Sequence, residues 1–146
     1  MIREATTEDR QAIEAIVAAA YAKWPARIGL RPRPMDEDYA AVLGRGDVWV
    51  SERGEEPVGV LVLVAEPGGL LIENVAVDPG RQGQGIGREL LAHAEEQARA
   101  RGLDGLRLYT HVKMVENIAL YERLGYEETR REEQSGFARV FMQKSL

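Results

Sequence analysis

Apolar residues recur at helical spacing in several parts of the chain. Ile13, Ile16 and Val17 follow a start in which Thr6 can cap the helix and acidic residues occupy the first turn. A longer apolar stripe after residue 85 ends before Gly102, a residue type that commonly follows a helix. Residues 23–35 contain three prolines, which predicts irregular structure there. The predicted helices span residues 8–22, 36–43, 85–101 and 115–124.

Strand patterns account for most of the remaining chain. Residues 58–65 form a nearly continuous apolar, β-branched run, which is typical of a strand that is covered on both faces. Turn residues separate this run from its neighbours, so residues 48–77 are predicted to form an antiparallel meander. The predicted strands span residues 2–5, 48–51, 58–65, 70–77, 106–110, 126–129 and 137–143.

The order of these elements predicts a mixed α/β fold in a single domain over residues 1–146. A strand, a helix and a second strand follow one another between residues 71 and 110, which predicts one parallel pair joined by a right-handed crossover. The other strand pairs are predicted to be antiparallel. The expected result is a mostly antiparallel sheet of about seven strands, flanked by about four helices.

Charge and composition narrow the possible functions. The 146 residues include 19 Lys and Arg against 24 Asp and Glu, so the net charge is −5 and no basic surface for nucleic acid is expected. The chain contains no cysteine, which excludes disulfides, a thiolate nucleophile and a cysteine-based zinc site. No apolar run approaches the ~20 residues that span a bilayer, and the first residues do not resemble a secretory signal. We expect a cytoplasmic protein that contacts neither membrane nor nucleic acid and holds no metal.

The most informative segment is the turn between the strand that ends near Val77 and the helix that begins near Gly85. Four glycines occur within eight residues, at positions 80, 83, 85 and 87. Glycines permit positive φ and a close approach of the backbone to a ligand, and the first N–H groups of a helix can bind an anion. Arg81 and Arg88 add positive charge. A diphosphate is therefore the expected ligand, and a tight connection without a ligand is the alternative.

Three phosphate-binding patterns compete for this turn. A P-loop requires Lys and then Ser or Thr after its last glycine, whereas Gly87 is followed by Arg88 and Glu89. A dinucleotide fingerprint that starts at residue 85 or 83 requires Gly or Ala at position 90 or 88, and these positions hold Leu90 and Arg88. The third pattern is Gln/Arg-x-x-Gly-x-Gly/Ala, which residues 82–87 (QGQGIG) match.

This turn and a second segment resemble the GCN5-related N-acetyltransferase (GNAT) family. In that family the Gln/Arg-x-x-Gly-x-Gly/Ala motif binds the pyrophosphate of acetyl-CoA. Residues 117–126 (NIALYERLGY) are similar to the family's Asn…Ala-x-x-Tyr…Gly-Phe/Tyr segment. The order of predicted elements also resembles the family over essentially the whole chain. The resemblance implies that the two parallel strands splay apart and that the protein is an N-acetyltransferase with acetyl-CoA as its co-substrate.

The resemblance also implies residue roles on the cofactor side. Backbone groups of the strand before the turn would hydrogen-bond pantetheine like an added strand, and one N–H there could polarise the thioester. Tyr121 matches the family's tyrosine, a general acid for the leaving thiolate, with packing as the alternative role. For Asn117 the alternative is an ordinary amide at a helix start. The expected cofactor-binding residues are Val75, Ala76, Val77, Gln82, Gly83, Gln84, Gly85, Ile86, Gly87, Arg88 and Asn117.

The general base is less constrained by the sequence. Strand alternation places Glu73 on the same face as Val75 and Val77, and some family members carry a glutamate there that deprotonates the amine through water. A solvated strand glutamate is the alternative. His111 is the second candidate, whereas His93 is expected at the surface.

The acceptor site is predicted by resemblance alone. In the family the segment after the first helix lines the acceptor pocket, so Tyr21, Trp24 and Arg27 are expected to contact an amine substrate. The alternative is that Tyr21 and Trp24 only cover the core. The hairpin at residues 126–142 is expected to complete this pocket or to form a homodimer contact. A small-molecule amine and a peptide amine are both compatible with these residues as the acceptor. The alternative function is that of a non-catalytic acyl-CoA-binding sensor.

Overall fold

Seven strands form one mixed sheet in the computed structural model, which describes residues 1–134 and 136–146. The strands are β1 (Ile2–Glu4), β2 (Val48–Arg53), β3 (Glu56–Glu66), β4 (Gly69–Val77), β5 (Gly105–His111), β6 (Glu127–Gln134) and β7 (Phe137–Ser145). Their spatial order is β1-β2-β3-β4-β5-β7-β6, and every neighbouring pair is antiparallel except β4 with β5. The predicted mixed α/β fold with one parallel pair is confirmed.

In the described residues five α-helices flank this sheet, one more than the sequence predicts. They are α1 (Arg10–Tyr21), α2 (Trp24–Ile28), α3 (Tyr39–Arg45), α4 (Ile86–Ala100) and α5 (Val115–Arg123). None of the helices in the described residues is both long enough and apolar enough to cross a membrane.

The prediction of irregular structure at residues 23–35 is wrong in part. This stretch contains α2 and a 3-10 turn at Arg33–Asp36. Pro25 lies in the first turn of α2, where its missing N–H is not needed, and the buried Trp24 and Ile28 pack with Met114. The next helix, α3, begins three residues later than predicted because the Asp38 carboxylate caps it and accepts from the Ala40 N–H at 3.0 Å.

Two core clusters cover the two faces of the sheet. On one face, α4 and α5 pack against residues such as Leu61, Leu63 and Leu108. On the other face, α1 and α3 pack against Val60 and Val62. The predicted burial of the β3 run on both faces is therefore confirmed. This two-sided packing fixes the sheet between the helices, so that the edges of β4 and β5 can hold a site.

The site depends on a break in the pairing of β4. The register with β3 shifts between Val62 and Leu63, so that Glu73 is an extra residue without a partner on β3. The parallel pairing with β5 covers only the Leu71–Arg107 and Ile72–Leu108 pairs. Beyond these pairs the two strands separate, as the predicted splay requires.

The bulge also changes which side chains share a face of β4. Glu73 forms an ion pair with Arg45 of α3, with 3.0 Å between Oε1 and Nη2. Val75 and Val77 instead pack against the cluster on the α4 face. The prediction that Glu73, Val75 and Val77 lie on one face is therefore wrong, because a bulge adds one residue and reverses the alternation beyond it.

Candidate active site

Two cavities meet where β4 and β5 separate. The α3-side cavity has a volume of about 180 Å³ and is lined by residues of α3, β4, β5 and β7, among them Tyr39, Glu73, Tyr109, His111 and Arg139. The turn-side cavity has a volume of about 340 Å³ and is lined by the glycine turn, the first residues of α4, and parts of α1, β4 and α5. The residues that line both cavities are Tyr21, Val75, Asn117 and Tyr121.

The glycine turn leaves the start of α4 open to a ligand. Gly83 and Gly85 have φ angles of 84° and 78°, which L side chains rarely adopt, and Gly85 is the residue that precedes the helix. No side chain in the described residues caps α4, and the first intrahelical bond runs from the Glu89 N–H to the Gly85 carbonyl at 3.0 Å. The N–H groups before Glu89 can therefore bind an anion, with the helix dipole behind them.

The structure brings most of the predicted cofactor residues to this one cavity. Gln84 is exposed and lies outside the cavity lining. Gly59, a glycine inside an apolar strand that was not among the predicted site residues, lets α4 approach β3 closely. An added Cβ at Gly59 would lie 2.9 Å from Ile86 Cγ2 and 3.0 Å from Leu90 Cδ1. The predicted residues that line the turn-side cavity are Val75, Ala76, Val77, Gln82, Gly83, Gly85, Ile86, Gly87, Arg88 and Asn117.

Tyr121 lies at the junction of the two cavities with its ring fixed by packing. It is 8% exposed, and its ring is edge-on to that of Tyr126, with 5.9 Å between the centroids. In the described part of the chain no group hydrogen-bonds to its hydroxyl, which can therefore serve a ligand. Burial raises the pKa of Tyr121 to about 12, so the hydroxyl keeps its proton at neutral pH.

The α3-side cavity contains two candidate bases. Glu73 is paired with Arg45, as described above. His111 is buried, and its Nδ1 accepts the backbone N–H of Lys113 at 3.1 Å. The neutral ring therefore carries its proton on Nε2 and can only donate from that atom. Burial lowers the pKa of His111, with a further contribution from the charge of Lys113, so the neutral form is favoured.

The predicted acceptor residues are divided between different places. Tyr21 lines both cavities, whereas Trp24 is buried and lines only the turn-side cavity. Arg27 lines neither, since its guanidinium donates two hydrogen bonds to Glu116 at 2.7 and 2.8 Å and stacks on Trp24. The hydrogen bond from Arg27 lowers the pKa of Glu116 to about 2. Of the three, only Tyr21 lines the α3-side cavity.

Two further residues of the α3-side cavity come from the last hairpin. Phe137 and Arg139 of β7 line it. The Arg139 guanidinium stacks on the Tyr109 ring at 4.5 Å and donates to Gln134 Oε1 at 2.7 Å. His93, which the sequence places at the surface, packs instead against Trp49 with 4.4 Å between ring centroids, so that prediction is wrong. His93 is absent from the lining of either cavity.

Three hydrogen bonds lead from Tyr21, which lines both cavities, through β4 to the wall of the α3-side cavity. The Tyr21 hydroxyl donates to Asn74 Oδ1 at 2.8 Å, and Asn74 Nδ2 donates to the Tyr39 oxygen at 3.3 Å. The Tyr39 hydroxyl donates to the Pro34 carbonyl at 2.6 Å. Asn74 is 5% exposed. Asn74 and Tyr39 were not among the predicted site residues, and the signal for Asn74 was an amide next to Glu73 in an otherwise apolar strand.

The two diverging parallel strands have a glycine turn beside one cavity and a second cavity that shares four of its lining residues. The Acetyltransferase (GNAT) family model matches residues 13–126. The chain belongs to this family, and the family resemblance found in the sequence is confirmed.

Individual relatives agree with this membership. The uncharacterized N-acetyltransferase YvbK of Bacillus subtilis is 32% identical over 85 residues, which cover 58% of this chain and 55% of YvbK. The ribosomal protein bS18-alanine N-acetyltransferase of Escherichia coli K12 is 46% identical over 55 residues, or 38% of this chain and 37% of that protein. The aligned part thus spans about half or less of these curated relatives. The crystal structure of ribosomal-protein-alanine N-acetyltransferase from Brucella melitensis superposes with a TM-score of 0.76 at 27% identity, covering 100% of this chain and 99% of that one.

Proposed function

We propose that this protein is an N-acetyltransferase that transfers the acetyl group of acetyl-CoA to a primary amine in a ternary complex. The observation that carries the proposal is that two cavities share the same four lining residues, Tyr21, Val75, Asn117 and Tyr121. Two substrates can therefore meet there without a covalent intermediate on the protein. The absence of cysteine excludes an acyl-cysteine route.

The turn-side cavity would hold acetyl-CoA. The open N–H groups at the start of α4, together with the Arg88 side chain, suit the pyrophosphate. Val75 and Val77 line the same cavity on a stretch of β4 that is not paired with β5, so their backbone groups are available to pantetheine. The thioester would then lie at the junction beside Tyr121. The sulfur would be within reach of a proton donor at this position.

In the proposed reaction the amine nitrogen forms a bond to the thioester carbonyl carbon, and the carbon–sulfur bond breaks. Tyr121 donates its hydroxyl proton to the leaving sulfur and regains a proton from solvent. One proton of the amine nitrogen leaves through the α3-side cavity. The products are an acetamide and free coenzyme A thiol. Holding the two reactants in line contributes up to about 7–11 kcal/mol in favourable cases, and the proton transfer a factor of about 10²–10⁴.

Glu73 is the preferred residue to receive the amine proton, directly or through water. Its carboxylate lines the α3-side cavity, and carboxylates accept protons from an amine that becomes acidic on attack. His111 is less suited to this role because its Nδ1 is already occupied by the Lys113 N–H. The Arg45 ion pair holds Glu73 on the α3 side of β4, where the incoming amine would lie.

The acceptor would be a primary amine that enters the α3-side cavity. Tyr21, Phe137 and Arg139 line the α3-side cavity and are proposed to contact it. Trp24 is proposed to help cover the cofactor, and Arg27 to hold α2 against α5 through Glu116. Relatives named as alanine N-acetyltransferases of a ribosomal protein support including peptides that begin with alanine among the amines tested.

Ligand binding and turnover test the proposal together. Thermal shifts are measured with acetyl-CoA, ATP and NAD, and thiol release is then followed with a panel of amino acids, polyamines and alanine-initiated peptides. We expect stabilisation by acetyl-CoA alone and amine-dependent thiol release. Stabilisation by ATP or NAD without acetyl-CoA would contradict the proposal. Stabilisation by acetyl-CoA without turnover of any amine would favour the alternative, a non-catalytic acyl-CoA-binding sensor.

A further inference from the structure

The hydrogen bonds among Tyr21, Asn74, Tyr39 and Pro34 have a direction that the structure fixes. This series of hydrogen bonds ends at the Pro34 carbonyl oxygen, which can only accept, so the Tyr39 hydroxyl must donate to it. The Tyr39 oxygen then accepts from the neighbouring side chain, which must present its amide nitrogen. The carbonyl oxygen of Asn74 consequently faces Tyr21. Tyr21 must therefore donate its own proton to Asn74.

This direction decides what the Tyr21 hydroxyl can offer to the cavities. A tyrosine hydroxyl has one proton and two lone pairs, and the proton of Tyr21 is used by Asn74. Only lone pairs remain toward the junction, which Tyr21 lines together with Tyr121. The two tyrosine hydroxyls therefore have opposite hydrogen-bonding roles toward a ligand. Tyr121 has a hydroxyl proton that no group in the described residues accepts, whereas Tyr21 can only accept.

We infer that Tyr21 is the residue that orients the attacking amine, by accepting one of its N–H groups while the nitrogen lone pair points at the thioester. This inference rests on the proposed function and names a role within that same site. A neutral primary amine has two N–H donors and one lone pair. Fixing one donor restricts the rotation of the lone pair, which favours attack.

Tyr21 does not act as a base in this arrangement. Burial raises the pKa of Tyr21, with further contributions from neighbouring tyrosines, so its phenol stays neutral. Its partner Asn74 has an amide oxygen that takes up no proton near neutral pH. This series of hydrogen bonds therefore conducts no proton. The proton of the amine must leave elsewhere, as proposed for Glu73. Tyr21 is accordingly a positioning group that contacts the substrate and exchanges no proton with it.

The three residues that fix the direction belong to three different elements, and all of them also line the α3-side cavity. Tyr39 is on α3, Asn74 is on β4 and Pro34 is in the 3-10 turn between α2 and α3. Asn74 and Tyr39 are both buried, at 5% and 3% exposure, so solvent does not compete for these bonds. Removing the Tyr39 hydroxyl frees the Asn74 amide to rotate. The Tyr21 hydroxyl can then turn its proton toward the junction and lose its accepting character.

Neutron diffraction on crystals of the perdeuterated full chain tests the direction without any substrate. We expect a deuteron on the Tyr21 oxygen along the line to Asn74 Oδ1, and a deuteron on the Tyr39 oxygen toward the Pro34 carbonyl. A Tyr21 deuteron that points into the cavities would overturn the inference. This result is independent of acetyl transfer, because failure of the proposed function shows as an absence of thiol release in the wild-type chain.

A double-mutant cycle tests the consequence for the amine. With a tripeptide amide that begins with alanine as acceptor, or the panel amine turned over fastest if this peptide is inert, we expect Tyr21→Phe to lower kcat/KM about tenfold. This is about the effect of one hydrogen bond. Tyr39→Phe should lower it by a similar factor in the wild type and have no further effect in the Tyr21→Phe variant. The Kd of acetyl-CoA should stay unchanged in all three variants.

An equal effect of Tyr39→Phe in both backgrounds would overturn the inference. That outcome would mean that Tyr39 only holds the Pro34 segment in place, since a purely structural effect does not depend on the Tyr21 hydroxyl. No effect of Tyr21→Phe on kcat/KM would overturn it as well. Thermal unfolding of each variant shows whether that variant still folds. If a variant does not fold, the neutron diffraction result on the wild type decides the inference.

Discussion

The ring of Tyr121 is held edge-on against the ring of Tyr126, with 5.9 Å between their centroids. The two hydroxyls of this pair have different surroundings. Tyr121 lines both cavities and its hydroxyl has no hydrogen-bond partner in the described residues, whereas the hydroxyl of Tyr126 is fully buried and also unpartnered there. Removing the hydroxyl of Tyr121 or of Tyr126 separately can therefore distinguish the role of ring packing from that of proton donation.

Tyr121→Phe should lower kcat by a factor of about 10²–10⁴ and leave the Kd of acetyl-CoA nearly unchanged, because the ring keeps its packing while the proton donor is lost. Steady-state kinetics and calorimetric titration with acetyl-CoA measure both quantities. Tyr126→Phe is the matched control and should retain wild-type kcat. Equal rates in the two variants would remove Tyr121 from the role of general acid.

The pH dependence of kcat should carry no sign of Tyr121 ionisation below about pH 11. Burial raises the pKa of Tyr121 to about 12, and the acid form of the phenol is the one present below its pKa. A pH profile of the wild type, measured with saturating amine, checks this expectation. A decline of kcat between pH 8 and 10 that disappears in Tyr121→Phe would show that the hydroxyl ionises earlier than its burial implies.

Gly85→Ala should weaken acetyl-CoA binding at least tenfold. The φ angle of 78° strains an alanine by about 1–2 kcal/mol, and its methyl group would project into the open space at the start of α4. Gly54→Ala is the control, because its φ angle of 67° and open surroundings are similar but it lies in the distant β2–β3 turn. Both variants should lose similar unfolding free energy. Equal acetyl-CoA affinity in both would contradict a binding role for the turn.

Gly59→Ala should destabilise the fold by about 1–3 kcal/mol, as expected when a methyl group is inserted into a packed core. Its Cβ would lie 2.9 Å from Ile86 Cγ2 and 3.0 Å from Leu90 Cδ1, which pushes α4 away from β3. Chemical denaturation measures the loss. Gly69→Ala, at a strand glycine with no atom within 4 Å of the added Cβ, should change stability little. A loss of the same size in both variants would argue against the tight contact.

Asp9→Asn should reduce the unfolding free energy by about 1.5–3 kcal/mol at neutral pH, the range for hydrogen bonds to a charged group. Asp9 is 6% exposed and accepts from Arg3 Nη1 and Nη2 at 2.9 and 2.8 Å and from the Thr6 N–H at 2.7 Å. The hydrogen bonds from Arg3 lower the pKa of Asp9 in the folded state. These bonds join β1 to the turn before α1.

The contribution of Asp9 should depend on pH in one direction. Because its folded pKa lies below the unfolded value of about 3.9, the stabilisation is complete above that value and is lost as the pH falls through the folded pKa. The difference between wild type and Asp9→Asn should therefore shrink below about pH 4. Glu14→Gln, which breaks an exposed pair with Arg10 at 3.6 Å, should differ from wild type by less than about 0.5 kcal/mol. A pH-independent difference for Asp9→Asn would contradict this account.

The sequence alone determined the features that depend on local pattern. Neighbouring residues alone predict three features: the apolar strand at residues 58–65, the apolar stripe of α4 and the glycine turn. Periodicity, β-branching and positive φ depend only on residues that are close in the sequence. The family resemblance rested on two such short segments, and the family model confirmed it. These features were sufficient for the fold class and for the expected position of a diphosphate site.

The tertiary structure decided how these segments meet. Alternation placed Glu73 with Val75, but the pairing with β3 inserts a bulge at Glu73 and turns it toward Arg45. Tyr21 and Asn74 are 53 residues apart in the chain, and only the packing of α1 on β4 brings them to 2.8 Å. Register and long-range contacts are set by the whole sheet and its helices, so no local pattern encodes them. The sequence alone predicted the glycine turn. The direction of the hydrogen bonds from Tyr21 through Asn74 and Tyr39 is defined only in the folded protein.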